Sequence, residues 1–329
     1  MSGAVLLGLL GCGRVAERFH VPAIARLTNA RLTAAYDPLP ERSRLIARSA
    51  PGCRAFDSAE ALLEARVVDA VLIASPPETH GTLAVQALGA GLPVLIEPPV
   101  AASLEEAEWI REAERIVRLP VMVGFNRRYW EPVERVRRAL AGGEEQEPKL
   151  SVESVLLTDA DAGDPLDALA IHLDLVRHLL DREIATVSAK QGSPREIEAR
   201  VTLYGEGLAV CRVGQADQPL EEIRVRAGNR SYEIRTGSER IWPAAGTGRR
   251  ALDLLDSAPR RALGSPDGLV RSYERQLEAF LARVESRGAG PLPGPGTTDG
   301  LAALLAVETV RRSLDEGGAE LPVPPMPAA

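Results

Sequence analysis

The 329-residue sequence predicts an α/β protein with a doubly wound parallel sheet in its first part and a mostly antiparallel sheet in its second. Three observations carry that expectation. Strand-sized apolar runs alternate with helical patterns through the first part of the chain, a glycine-containing turn joins the first run to the first helix, and beyond residue 150 strand-like runs follow one another closely.

The apolar runs lie at residues 4–10, 31–36, 69–74, 93–96 and 120–124, and helical periodicity falls near 14–27, 40–49, 58–65, 79–90 and 103–118. Strands covered by helices on both faces are apolar throughout, and strand–helix–strand repetition winds a parallel sheet. Strand-like runs near 150–158, 184–192, 196–204, 208–213, 220–227 and 230–236 follow one helix, and strands in succession without helices pair antiparallel. Residues 240–268, rich in Gly, Pro, Ala and paired Arg, read as a loop or arm, residues 287–298 as a Pro/Gly connector, and helices near 269–286 and 300–314 close the chain. The expected division is a nucleotide-binding domain over 1–123 and a second α/β domain over 124–329, with the C-terminal helices able to pack back on the first.

A formal charge of −7 argues against a nucleic-acid binder, which would carry a basic face to neutralise phosphates. The arginines cluster only as pairs, at 127–128, 137–138, 249–250 and 260–261. Cys12, Cys53 and Cys211 are odd in number and widely spaced, which suggests neither a disulfide framework nor a zinc site and fits a reducing cytoplasm. The run from Ala4 to Leu10 before Gly11-Cys12 superficially resembles a lipoprotein signal, but no Lys or Arg precedes it and it is short. No run approaches the length of a membrane span. No G-x-S-x-G, phosphate-loop motif or histidine pair at metal spacing occurs, so hydrolase and kinase chemistry has no residues behind it.

The first turn reads Gly11-Cys12-Gly13-Arg14-Val15-Ala16, a G-x-G-x-x-A after a strand and before a helix. Gly11 permits the tight turn, Gly13 lets the backbone approach a pyrophosphate, and Ala16 allows close helix–strand packing. The second strand ends at Asp37, where a carboxylate accepts hydrogen bonds from the adenosine ribose and repels a 2′-phosphate. That favours NAD over NADP, with Arg42 nearby keeping NADP open. The competing reading of Asp37 is a surface residue of the Pro38 turn.

The segments "GLLGCGRVAERFHVPAI", "DAVLIASPPETHGTLAVQALGAGLPVLIEPPVA", "VGFNRRYWEPV" and "YERQLEAFLARV…TTDGLAALLAVETVRRSL" resemble the glucose-fructose oxidoreductase, inositol dehydrogenase and rhizopine catabolism (Gfo/Idh/MocA) family over nearly the whole chain. The resemblance implies an N-terminal Rossmann domain, an α/β domain with a large open sheet, and a homodimer or homotetramer formed through that sheet. It also implies that Ser75, Pro76 and His80 lie beside the cofactor, as do Glu97 and Pro98.

In the family, the strand that ends "VLIEPPV" here typically closes with Glu-Lys-Pro, and the lysine assists proton transfer. Glu97 matches the glutamate and Pro99 the proline, while Pro98 takes the lysine position. Proline has no titratable group and no N–H. The only lysines are Lys149 and Lys190, so none lies nearby in sequence.

A second family pattern, Asp-x-x-x-His followed three residues later by another acid, is also shifted. The helix reads Asp167-Ala168-Leu169-Ala170-Ile171-His172-Leu173-Asp174. Aligning both acids puts Ile171 where the histidine belongs, keeping His172 in that place instead puts Ala168 where the first acid belongs, and one residue rotates a helical side chain by about 100°. His172 has the chemistry of a general acid or base, and a histidine satisfied inside a packed helix weighs equally. His178 reads as surface or core packing. Tyr129, after Asn126-Arg127-Arg128, is either a proton carrier beside arginines or packs with Trp130 between domains.

The leading expectation is an NAD-dependent oxidoreductase moving hydride between nicotinamide and a carbinol or carbonyl carbon of a sugar, cyclitol or related polar small molecule. His172, Tyr129 or Asp167 would handle the proton. The alternatives are an NAD(H)-binding sensor or accessory protein without turnover, and a reductase of an imine or unsaturated intermediate. Neither nucleic acid nor membrane is an expected partner.

Overall fold

The strands β1 (Val5–Leu10), β2 (Ala30–Tyr36), β3 (Arg54–Phe56), β4 (Ala70–Ile73), β5 (Val94–Ile96) and β6 (Val121–Val123) form a parallel sheet in the spatial order β3-β2-β1-β4-β5-β6. The computed structural model describes residues 3–141, 150–158, 164–193, 195–217, 220–235, 242–243, 267–286 and 294–326. The strand order reverses between β1 and β4, where a doubly wound sheet opens its binding crevice. Every residue of β4, β5 and β6 is buried, the burden of a strand covered on both faces. β3 was not among the expected runs: its three residues, Arg-Ala-Phe, are exposed or half-buried at the sheet edge and carry no apolar signal.

Crossover helices connect these strands: α1 (Val21–Arg26), α2 (Pro40–Ser49), α3 (Ala59–Glu64), α4 (His80–Gly89) and α5 (Leu104–Val117). Local chemistry sets their ends. Pro40 starts α2, Ser58 accepts from Ala61 N–H at 3.0 Å to start α3, and Ser103 accepts from Glu106 N–H at 3.2 Å to start α5. The first helix departs from expectation, because residues Ala16–His20 form a π-helical turn, closed by Val21 N–H onto Ala16, before α1 begins.

The chain divides into two compact units, Met1–Tyr129 with Leu269–Leu304, and Trp130–Gly268 with Leu305–Ala329. In the first, α8 (Asp267–Glu285) sends Tyr273, Leu277, Phe280 and Leu281 into the core that holds Leu7, Leu9, Leu72 and Leu95. Residues 294–296 then run beside β6, with Val123 N–H donating to Pro295 at 3.1 Å. Buried Arg283 fastens that segment by donating to Val121 O at 2.8 Å and Gly294 O at 2.5 Å. α9 (Thr297–Asp315) follows. Residues 287–293 of the expected connector, and most of the expected 240–268 arm, lie outside the described residues.

In the second unit, α6 (Glu131–Ala141) precedes β7 (Leu150–Thr158), α7 (Pro165–Leu180) and the strands β8 (Ile184–Ser193), β9 (Glu196–Leu203), β10 (Leu208–Gln215), β11 (Leu220–Ala227) and β12 (Arg230–Arg235). With β13 (Trp242–Pro243) and β14 (Leu321–Pro322) they form one sheet in the order β13-β12-β11-β7-β10-β9-β8-β14. All of its pairings are antiparallel except β10 with β7. Alternation decides which face is buried: Ile197, Ala199, Val201 and Leu203 of β9 point inward, as do Ala209, Cys211 and Val213 of β10. Asp164 caps α7 by accepting from Leu166 N–H at 2.9 Å. Among the described residues no helix is long and apolar enough to cross a membrane.

Glu198 anchors the other face of this sheet, bridging Lys190 at 3.2 Å, Arg200 at 3.2 Å and Arg212 at 2.8 Å. Burial by itself would raise its carboxyl, but the hydrogen bonds from Arg212, Lys190 and Arg200 override that and hold it down to about 2. A carboxyl depressed by folding adds stability above its unfolded value, and that stability is lost as pH falls through the folded value. Because the basic partners are largely exposed, the expected contribution is about 1–2 kcal/mol. Denaturant unfolding of Glu198→Gln should show that deficit at neutral pH, closing between the ordinary 4.5 and about 2. A deficit independent of pH would assign the effect to packing.

Candidate cofactor and active site

Gly11 leaves β1 with φ +93°, and its N–H donates to Tyr36 O at 2.9 Å. A Cβ there would stand 2.5 Å from Ser75 N and 2.7 Å from the Ala74 carbonyl carbon, so the turn presses backbone to backbone against the loop after β4. Gly13 is the opposite case. Nothing lies within 4 Å of where its Cβ would be, leaving open space at the start of the helix, the shape a pyrophosphate needs. Ala16 is fully buried beneath the turn, while Arg14 is exposed and Val15 half-buried.

Asp37 is 6% exposed and locks this turn from β2: Cys12 N–H donates to its Oδ2 at 2.8 Å and Leu39 N–H to its Oδ1 at 2.9 Å. Each oxygen keeps a further lone pair for a ribose hydroxyl. Arg42 is exposed on α2 and near enough to act electrostatically on Cys12. Burial, then the Asp37 charge, push the Cys12 thiol up to about 12, so it stays protonated and unreactive inside the fingerprint.

The loops after β4 and β5 are tied by one side chain. His80, 1% exposed at the start of α4, sets Nδ1 2.9 Å from Pro99 O and Nε2 2.9 Å from Ser75 O. Burial lowers its pKa, although both carbonyls and Glu97 oppose the shift. The resemblance places His80 beside the cofactor; here its ring nitrogens face the backbone, so it shapes the two loops. Ser75 Oγ and Thr79 Oγ1 are 2.6 Å apart, and Thr79 Oγ1 donates to Pro76 O at 2.8 Å, bracing the same loop. Pro98, half-buried, sits next to Glu97 at the end of β5.

Glu97 has a partner that the motif reading passed over. His20, 1% exposed on the π-helical turn, brings Nε2 to 2.9 Å from Glu97 Oε1, with its ring edge-on to Tyr273 of α8 at 5.0 Å. His20 stands within the quoted family-like segment, but helical periodicity cannot announce a π turn, and the turn is what sets its direction.

The three proton-carrying candidates are placed differently. Tyr129 has its hydroxyl enclosed where a Cβ on Gly294 would collide with it, at the outer edge of β6. Of the paired arginines before it, buried Arg127 donates to Asn126 Oδ1 at 2.9 Å and half-buried Arg128 pairs with Asp299 at 2.7 Å. In the second unit His172 is 0% exposed, 3.5 Å from the 3%-exposed Glu221 of β11. Among the described residues neither of its ring nitrogens finds a hydrogen-bond partner, and both are buried. Asp167 and Ile171 are half-buried on the neighbouring face, and Asp174 lies 3.6 Å from Arg177. The one-residue offset therefore appears as burial: His172 faces the sheet and Ile171 takes the more open direction. Among the described residues no cluster of three His, Cys, Asp or Glu side chains could hold a metal.

A family model described as "Oxidoreductase family, NAD-binding Rossmann fold" matches residues 5–125. An inositol 2-dehydrogenase of Corynebacterium glutamicum (strain R) is 36% identical, the alignment covering 99% of each chain. An inositol 2-dehydrogenase of Leifsonia xyli subsp. xyli is 28% identical over 95% of this chain and 94% of its own. The crystal structure of myo-inositol dehydrogenase from Lactobacillus casei in complex with NAD(H) and myo-inositol shares the fold, with a TM-score of 0.78 at 19% identity over 99% of this chain and 98% of that one.

Proposed function

This chain belongs to the Gfo/Idh/MocA oxidoreductases, whose first domain is an NAD-binding Rossmann fold, and we propose that it transfers hydride between NAD and a carbinol or carbonyl carbon of a cyclitol or sugar. The observation that carries this reading is the pairing of an open Gly13 with an Asp37 already oriented by two backbone N–H groups. Together they match the pyrophosphate and the adenosine ribose of one ligand. The likeness to inositol 2-dehydrogenases along the full chain supports a polyhydroxylated ring as the substrate.

Bound NAD would supply the hydride acceptor or donor. Gly11, Gly13, Arg14 and Val15 would hold its pyrophosphate, Asp37 and Arg42 its adenosine side, and Ser75, Pro76, Glu97 and Pro98 would line the nicotinamide side, with His80 fixing the loops that carry them. Asp37 favours NAD over NADP. Pro98 stands where the family's lysine is expected, so this chain would work without that ammonium. In this reading His172 and Tyr129 hold packed positions, and Asp167 lies on the half-buried face of α7. The face of the second sheet that carries Glu198 is the surface proposed for a homodimer or homotetramer, and the cytoplasm the proposed location.

The test uses purified full-length protein. NADH fluorescence should report saturable binding, tighter than NADPH by at least about tenfold. NAD⁺ with myo-inositol, its stereoisomers and simple sugars should generate NADH. Saturable NADH binding with no turnover across the panel would favour the sensor reading, which the absent lysine supports; no NADH binding would overturn both.

A further inference from the structure

Glu97 is placed to do the work of the missing lysine. With Asp37 marking the adenosine half at β2, the nicotinamide half of a doubly wound sheet falls at β4, β5 and β6, and Glu97 leaves the carboxyl end of β5. The other candidate groups at those strand ends are occupied or unoriented. The Ser75 hydroxyl bonds Thr79, His80 points both nitrogens at carbonyls, Asn126 donates to Ser272 at 3.1 Å, and the Tyr129 hydroxyl is enclosed. Glu78 is exposed on the turn after β4, where no side-chain hydrogen bond fixes it among the described residues.

Glu97 differs on each count. Its Oε1 is pinned by His20 Nε2 at 2.9 Å and lies over Gly124, where a Cβ would come within 2.7 Å of it. Its side chain is 14% exposed, and Oε2 has no partner among the described residues yet is not enclosed. One oxygen is therefore held and the other is presented. His20 Nδ1 has no hydrogen-bond partner among the described residues, so the least strained arrangement puts the ring proton on Nε2, donated to an anionic Glu97. A π-helical turn, a rare device concentrated at functional sites, aims His20 at the carboxylate.

We propose that Glu97 is the proton acceptor and donor for the substrate hydroxyl, with His20 as its positioning residue. This rests on the dehydrogenase reading above. In oxidation of a carbinol, the O–H bond breaks and its proton goes to Glu97 Oε2. Bound NAD⁺ would accept the hydride as the C–H bond breaks and the C=O bond forms. Glu97 then releases the proton to solvent through Oε2.

Three measurements on the full chain test this. Glu97→Gln and Glu97→Ala, each measured at NAD⁺ concentrations that saturate that variant, should lower kcat with myo-inositol by about 10²- to 10⁴-fold. Added formate should restore part of the Glu97→Ala rate, which a purely structural role would not allow. Nitrogen NMR should find His20 as the Nε2–H tautomer in the native protein and in Glu97→Gln, with that preference lost in Glu97→Ala. Native-like turnover in Glu97→Gln, an Nδ1–H tautomer, or no formate rescue overturns the proposal while leaving the dehydrogenase reading intact. A native protein that binds NADH but oxidises no polyol overturns both, and one that binds no NADH removes the cofactor premise first.

Discussion

Alanine at Gly11 is expected to weaken NADH binding by about 30-fold or more, equivalent to roughly 2 kcal/mol, and to destabilise the protein by about 3 kcal/mol. Two independent penalties meet there. The backbone holds φ at +93°, a conformation L-residues rarely adopt. The added Cβ would also stand 2.5 Å from Ser75 N and 2.7 Å from the Ala74 carbonyl carbon. Both obstacles are backbone, so no side chain can swing aside. Relief requires moving the turn away from the loop after β4, which displaces Cys12 N–H from Asp37 and Gly13 from the pyrophosphate position together. Thermal unfolding should fall by about 6–12 °C. Gly13→Ala provides the contrast, since its Cβ would meet nothing within 4 Å. It should keep native stability while losing NADH affinity, because the methyl occupies the ligand's space. Equal melting temperatures for Gly11→Ala and the native protein would show that the turn is not held as described.

How much of this was visible beforehand depended on the period of the signal. The buried strands β4, β5 and β6 and the antiparallel run from β8 to β12 announce themselves because apolar continuity and period-two alternation are properties of the residues alone. β3 gave no such signal. The fingerprint was legible because Gly11 and Gly13 are demanded by geometry, and Asp37 because a strand end fixes its distance from the turn. His20 was not, because its direction comes from a π turn, and the direction of His172 stayed open for a related reason. An α-helix spreads successive side chains by about 100°, so two registers stand equal in residue order alone, and only packing of α7 on the sheet turns His172 inward to Glu221. Tyr129 illustrates a third limit: its environment is made by Gly294, far along the chain.

Asp37→Ala is expected to shift the preference for NADH over NADPH by about 100-fold, and to lower stability by about 2–4 kcal/mol. The second effect follows from the carboxylate's two roles. Besides facing the ribose, Asp37 accepts from Cys12 N–H at 2.8 Å and Leu39 N–H at 2.9 Å, so alanine leaves two donors in a largely buried turn without acceptors. Asp37→Asn separates the roles. Its single carbonyl oxygen can serve one of the two donors, and its neutral head removes the repulsion toward a 2′-phosphate while Arg42 remains exposed nearby to attract one. Asparagine should therefore retain most of the stability, within about 1–2 kcal/mol, while still moving the coenzyme preference by about tenfold or more. Parallel titrations with NADH and NADPH, set beside denaturant unfolding of the same variants, decide the matter. If both variants keep the native preference, the ribose is recognised elsewhere and Asp37 serves the turn alone.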